Sequence, residues 1–146
     1  MATLTLQDWT ARAAAIAPEG QAFIAGDFAP AAEGKTYVNI NPATGAVLNQ
    51  VADCSSSDVD RAVSTARKAF DSGVWAHQSP SDRKRVLLRL ADLMERDRET
   101  LALLESLDMG APIARTQAMK KGLLQTVTYF ASQAMHWTGT RIPNSL

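Results

Sequence analysis

The chain is 146 residues long, with 15 basic and 15 acidic side chains and no net formal charge at neutral pH. The charges are interspersed, leaving no basic face for a phosphate backbone, and no apolar run approaches the roughly 20 residues of a bilayer span, so nucleic acid and membrane are excluded as partners. A single cysteine, Cys54, rules out an intrachain disulfide and a cysteine-cluster zinc site, and the amino terminus lacks the charged start and apolar stretch of a secretory signal. The expectation is one soluble, cytoplasmic unit of ordinary domain size.

Taken from the amino terminus, residues 7–17 are alanine-rich, with Trp9, Ala13 and Ile16 at helical spacing, and predict a short helix that stops before Pro18 and Gly20. Gln21 to Ile24, a tight turn at Gly26-Asp27, and Phe28 predict a first strand pair. Lys35 to Ile40 alternates through Tyr37, Val38 and Ile40, the run Asn41-Pro42-Ala43-Thr44-Gly45 has turn chemistry, and Val47 to Val51 follows as a strand. Together these form a small antiparallel meander. Beyond a cap at Ser56 or Ser57, Val59, Val63, Ala66 and Phe70 predict a helix that Gly73 ends.

The stretch from Ser79 to Pro112 is the most strongly marked. Ser79 is a helix cap, Pro80 suits the first helical position where no N–H is required, and Asp82 places negative charge in the first turn. Val86, Leu87, Leu90 and Met94 form the stripe to be buried, opposite Arg85, Arg89 and Asp92. Glu95 to Glu99 are five consecutive charges, more than a helical turn, so no apolar stripe passes through them and a break is expected, with Asp97 as a second cap. Leu101, Leu104 and Leu107 resume the pattern until Gly110, a left-handed C′ residue, and Pro112. A last helix is predicted over about Thr116 to His136, with Leu123, Leu124, Val127, Tyr129, Phe130 and Met135 on a broad apolar face, and Tyr129, Phe130 and Trp137 as core aromatics. Gly139 and Pro143 close it, and RIPNSL reads as an extended exit segment. The fold class is α+β: an amino-terminal helix, a small antiparallel meander, then three to four helices.

Five ordered blocks, FIAGDF, NINPATG, SSSDVDRAVSTARKAFDSGVW, RVLLRLADLMERDRETLALLESLDMGAP and TYFASQAMHW, resemble the amino-terminal portion of the aldehyde dehydrogenase superfamily over about residues 21–144. Within it the resemblance is nearest to members acting on betaine aldehyde and on aminoaldehydes such as γ-glutamyl-aminobutyraldehyde. It implies oxidation of an aldehyde to a carboxylic acid with NAD or NADP, through a thiohemiacetal on a cysteine, in an enzyme that is a homodimer or homotetramer. It also implies that residues 1–146 are an incomplete, amino-terminal part of an α/β Rossmann-type cofactor domain. The oxyanion asparagine, the nucleotide-binding units, the base glutamate, the nucleophilic cysteine and the oligomerising strands of the family all correspond to sequence beyond Leu146. The expectation is therefore no catalytic residue and no cofactor-binding residue in this chain. The glycines, at 20, 26, 34, 45, 73, 110, 122 and 139, independently exclude a GxGxxG turn or a GxxxxGK loop.

Cys54 precedes a helix start, where the macrodipole favours a thiolate, but no histidine lies near it in sequence and a structural role is favoured. His77 and His136 lack ligand-type neighbours at metal spacing and read as surface or partly packed. Asp108 closes a helix where a carboxylate opposes the dipole and calls for a cap, a salt bridge or a cation. The resemblance implies that Asp108 and the backbone carbonyl of Asn39 help hold a structural monovalent cation, with plain hydrogen bonding as the competing account. It also implies that Ala118 and Gly122 line the substrate tunnel of a completed enzyme. Ala111, where the family often has lysine, and Lys121, where an acidic residue is frequent, depart from the pattern and leave the aldehyde open. Two readings compete: a truncated aldehyde dehydrogenase, silent by itself, and a free-standing interaction module that docks on another chain such as a full-length family subunit.

Overall fold

In the computed structural model residues 4–136 are described, and they order as five helices and two small antiparallel sheets. Helix α1 (Leu6–Ala15) begins in a capping box: Thr5 Oγ1 accepts from the Asp8 N–H at 3.2 Å, and the Asp8 carboxylate accepts from the Thr5 N–H at 2.7 Å. It buries Trp9, over which the Arg12 guanidinium lies. It ends two residues earlier than expected, because Ile16 is already extended ahead of the Ala17-Pro18 pair, which disfavours helix.

Strands β1 (Ala22–Ile24) and β2 (Asp27–Ala29) form one hairpin, and β3 (Thr36–Ile40) and β4 (Val47–Ala52) form another. The expected single meander is therefore two separate sheets. Pro30, which has no N–H to donate, and a turn closed by Gly34 N–H donating to the Ala31 carbonyl at 2.8 Å interrupt the pairing between them. The first turn lies at Ala25-Gly26 rather than Gly26-Asp27, both residues having positive φ, as a two-residue hairpin turn requires. In the second, Asn41 Oδ1 accepts from the Ala43 N–H at 2.9 Å and the Gly45 N–H donates to the Asn41 carbonyl at 2.8 Å.

Helix α2 (Ser56–Asp71) starts one residue before the expected caps, at Ser55, and Gly73 follows its end with φ 69°. Helix α3 (Pro80–Arg96) starts as predicted, with Ser79 Oγ accepting from the Asp82 N–H at 3.1 Å. The predicted break is real, since Asp97 leaves helical geometry and α4 (Arg98–Met109) follows it. Asp97 is no side-chain cap, however. Its carboxylate is engaged by Arg96 at 2.9 and 2.6 Å. Gly110 takes the left-handed conformation, φ 70°, at the end of α4.

Helix α5 (Ile113–Gln133) begins three residues earlier than predicted, directly after Pro112, whose carbonyl accepts from the Arg115 and Thr116 N–H groups. It packs against both α3 and α4, and Ala91, Ala102, Leu103, Thr116 and Ala131 are buried in this three-helix layer. Small side chains there let the helices approach closely, and Lys120 of α5 pairs with Glu105 of α4 across the seam. Two expectations about faces fail. Val86 and Leu90 of α3 are exposed and the covered side runs through Leu87, Ala91 and Met94, because α5 meets the helix on that side. Tyr129 and Phe130 are also exposed, since two helices cover less than the full apolar arc of α5. Trp137, Gly139, Pro143 and the RIPNSL segment lie outside the described residues.

Candidate functional site

Two of the residues singled out by sequence, Asn39 and Asp108, meet at one corner of the fold. Asn39 stands near the end of β3, next to the register irregularity between Asn39 and Ile40, and Asp108 stands in the last turn of α4. The Asn39 amide donates to Asp108 Oδ1 at 3.2 Å and to Asn49 Oδ1 at 3.3 Å, and the Asn49 amide donates to the Pro18 carbonyl at 3.0 Å. One hydrogen-bonded chain thus runs from the segment after α1, across β4 and β3, to the end of α4. It borders a hollow of about 470 Å³ lined also by Glu19, Leu48 and Glu105. A Cβ on Gly110 would lie 3.0 Å from Pro42 Cγ, so the β3–β4 turn sits directly against the end of α4 and fixes the corner.

This geometry bears on the question that Asp108 poses. A carboxylate at a helix C-terminus is opposed by the dipole and needs a donor or a cation. The Asn39 side chain supplies the donor through its amide, whereas the family resemblance points to the Asn39 carbonyl as a cation ligand. Among the described residues, no group of three or more His, Cys, Asp or Glu side chains could hold a metal ion.

Ala118 and Gly122 lie one turn apart on an exposed side of α5, and a Cβ added at Gly122 meets only open space. Cys54 is exposed in the segment between β4 and α2. The His77 ring folds back over Gly73 after α2, where the positive φ of 69° is what favours a glycine. His136 borders a separate hollow of about 640 Å³ with Trp75, Arg83 and Phe130. The candidates other than Asn39 and Asp108 are thus spread over the molecule.

The best-built polar site went unrecognised in the sequence. Asp58 is 1% exposed, and its carboxylate accepts from the Ala32 N–H at 3.2 and 3.1 Å, from the Ser55 N–H at 3.0 Å and from Arg61 at 3.2 Å. The Ala32 N–H, then the Ser55 groups, hold the Asp58 carboxyl below its ordinary range, and Arg61 adds to them. The signal was present as Ser55-x-x-Asp58, a capping-box spacing, but its link to Ala32, 26 residues away, is tertiary. Among the described residues, β4 to α2 is the one strand-to-helix junction. Asp58 occupies the amino terminus of that helix with the protein's own negative charge, so a nucleotide phosphate is not accommodated there.

The sequence pattern of the aldehyde dehydrogenase family matches residues 28–146. The chain belongs to the aldehyde dehydrogenase family. The aminoacetaldehyde dehydrogenase of Pseudomonas aeruginosa is 46% identical over 114 residues, covering 78% of this chain and 23% of that protein. The crystal structure of γ-glutamyl-γ-aminobutyraldehyde dehydrogenase from Burkholderia cenocepacia is similar with a TM-score of 0.92 and 44% identity, over 97% of this chain and 29% of the other. An indole-3-acetaldehyde dehydrogenase from P. syringae in complex with NAD+ has a TM-score of 0.88 and 41% identity, over 93% of this chain and 28% of that one. The chain spans about a quarter of the length of these family members.

Proposed function

We propose that residues 1–146 are the amino-terminal scaffold of the cofactor-binding domain of an NAD- or NADP-dependent aldehyde dehydrogenase, and that this chain alone does not oxidise aldehydes. The observation that carries the reading is a fold similar at TM-score 0.92 over 97% of this chain to a solved aldehyde dehydrogenase of which it spans 29%. Aldehyde oxidation requires an activated thiolate, donors for the oxyanion, a hydride acceptor and a base for thioester hydrolysis. Cys54 is the single thiol of the sequence, and the adjoining helix terminus is filled by Asp58. In a complete enzyme the substrate class is an aldehyde, with aminoaldehydes favoured by two of the three relatives named above, and the nicotinamide cofactor is held by segments outside this chain. The complete subunit assembles as a homodimer or homotetramer.

The test is NADH or NADPH formation by the purified chain with a panel of aldehydes that includes aminoaldehydes and betaine aldehyde. No formation above the blank is expected, and sustained turnover overturns the reading. Within the complete enzyme, Ala118 and Gly122 line the substrate tunnel, and Asp108 with the Asn39 carbonyl shares in holding a monovalent cation. For that site, sodium or potassium is expected to raise the melting temperature of the complete enzyme relative to choline, and Asp108→Asn to remove the difference. Equal melting in all three salts rules the cation out.

A second reading, a module that docks on another chain, is favoured by one specific observation: the apolar stripe of α2 is largely uncovered, with Phe70 72% exposed.

A further inference from the structure

Helix α5 is one-sided in charge. None of its 21 residues is acidic, whereas Arg115, Lys120 and Lys121 are basic. Lys120 is neutralised by Glu105 of α4 across the seam. Arg115 and Lys121 are exposed and enter no ion pair among the described residues.

The helical repeat decides which cation stands beside Ala118 and Gly122. Ala118, Lys121, Gly122, Gln125 and Tyr129 follow one another at three- and four-residue steps, so they share one face, and all are exposed. Gly122 has no side chain and only open space in front of it, which lets a ligand lie against the helix at that level. Lys121 adjoins this shelf with an ammonium on a flexible stem. Gln125 adds an amide and Tyr129 a hydroxyl, neutral groups that donate and accept. The face therefore presents a cation and two neutral polar groups but no carboxylate, and Arg115, three residues before Ala118, adds a second cation at its edge.

Such a face discriminates by charge. An ammonium at the far end of a substrate, free or quaternary, finds no carboxylate on α5 and meets like charge at Lys121, whereas a carboxylate there meets opposite charge. Inside a tunnel that excludes water both effects are screened less than on an open surface.

We propose, on the reading that Ala118 and Gly122 line the substrate tunnel of a complete aldehyde dehydrogenase, that Lys121 is a specificity-determining residue of that tunnel and that the substrate is an aldehyde with a carboxylate at its far end, in preference to one with an ammonium. This narrows the aldehydes that the relatives suggest: an amine masked as an amide remains compatible, and a free or quaternary ammonium does not. Oxidation alters only the aldehyde end, so Lys121 acts through KM rather than kcat.

The test places these residues in the aminoacetaldehyde dehydrogenase of Pseudomonas aeruginosa, replacing in one chimera the segment that this chain matches and in a second only the part corresponding to Ile113–Gln133. NADH formation gives kcat/KM for three aldehydes of similar length: succinate semialdehyde, 3-aminopropanal and uncharged butanal as the reference. In both chimeras the ratio of succinate semialdehyde to 3-aminopropanal is expected to rise at least about tenfold over the parent enzyme, through KM, and to shrink at high ionic strength. Lys121→Glu reverses the shift, and Lys121→Gln leaves it intermediate. An unchanged ratio in a chimera that turns over, or the same ratio in Lys121→Glu as in its parent chimera, overturns the inference and leaves the scaffold reading standing. Silence of the larger replacement toward all three aldehydes, with the shifted ratio in the shorter one, counts against the scaffold reading alone. Silence of both overturns the two together.

Discussion

Asp58 is the residue with the most consequence for the fold. Its carboxylate joins the turn after β2 to the start of α2, accepting a backbone N–H from each. A carbon-13 titration of the carboxyl resonances is expected to place Asp58 below the usual value of about 3.9. A value at or above it contradicts the hydrogen-bond account. Because the folded value lies below the unfolded one, the stabilisation is complete above roughly pH 4 to 5 and is lost as the pH falls through the folded value. Asp58→Asn removes the charge and turns one acceptor oxygen into a donor, so the Ala32 and Ser55 amides should exchange with solvent faster by about tenfold or more at constant pH. Asp8, Asp82 and Asp97 are held low too, each by a side-chain hydrogen bond first, from Thr5, Ser79 and Arg96 respectively, so the variant keeps part of its acid sensitivity. The sequence showed that Asp108 needed a partner. It did not show that the Asn39 amide provides one, because that contact joins residues 69 positions apart.

At the scale of elements, local chemistry was the reliable guide. Ser79-Pro80, the charged run at Glu95 to Glu99, and Gly110 with Pro112 are short-range signals, and the structure places a helix start, a break and a helix end at them. Each works through backbone groups within one turn, so no distant residue alters it. Gly110→Ala illustrates the strength of such a signal. The left-handed conformation alone costs a non-glycine residue about 1–2 kcal/mol, and the added methyl meets Pro42. Chemical denaturation should show a loss of at least about that size, and an unchanged midpoint would mean that the α4–α5 corner relaxes freely. Which face of each helix is buried was less legible. Val86 and Leu90 fit the period of the covered stripe nearly as well as Leu87 and Ala91, and only the direction from which α5 approaches separates them.

For the whole molecule, the decisive quantity is apolar surface without a partner. The Val63→Glu and Phe70→Glu double variant should bind less of a hydrophobic dye such as anilinonaphthalene sulfonate and stay soluble at higher concentration than the parent chain. Equal dye binding would show that the α2 stripe is already covered in solution. The five ordered blocks identify the family by resemblance, and pattern alone determined the α+β class, the order of elements and the lack of a glycine-rich nucleotide loop, because these depend on residue types and short spacings. Only the tertiary structure decided that the hairpins form two sheets, that Asp58 is buried, and that the apolar stripe of α2 and Tyr129 and Phe130 of α5 stay open to solvent. The physical reason is the same in each case: periodicity tells which side chains favour leaving water, but what is available to cover them depends on how distant parts of the chain pack.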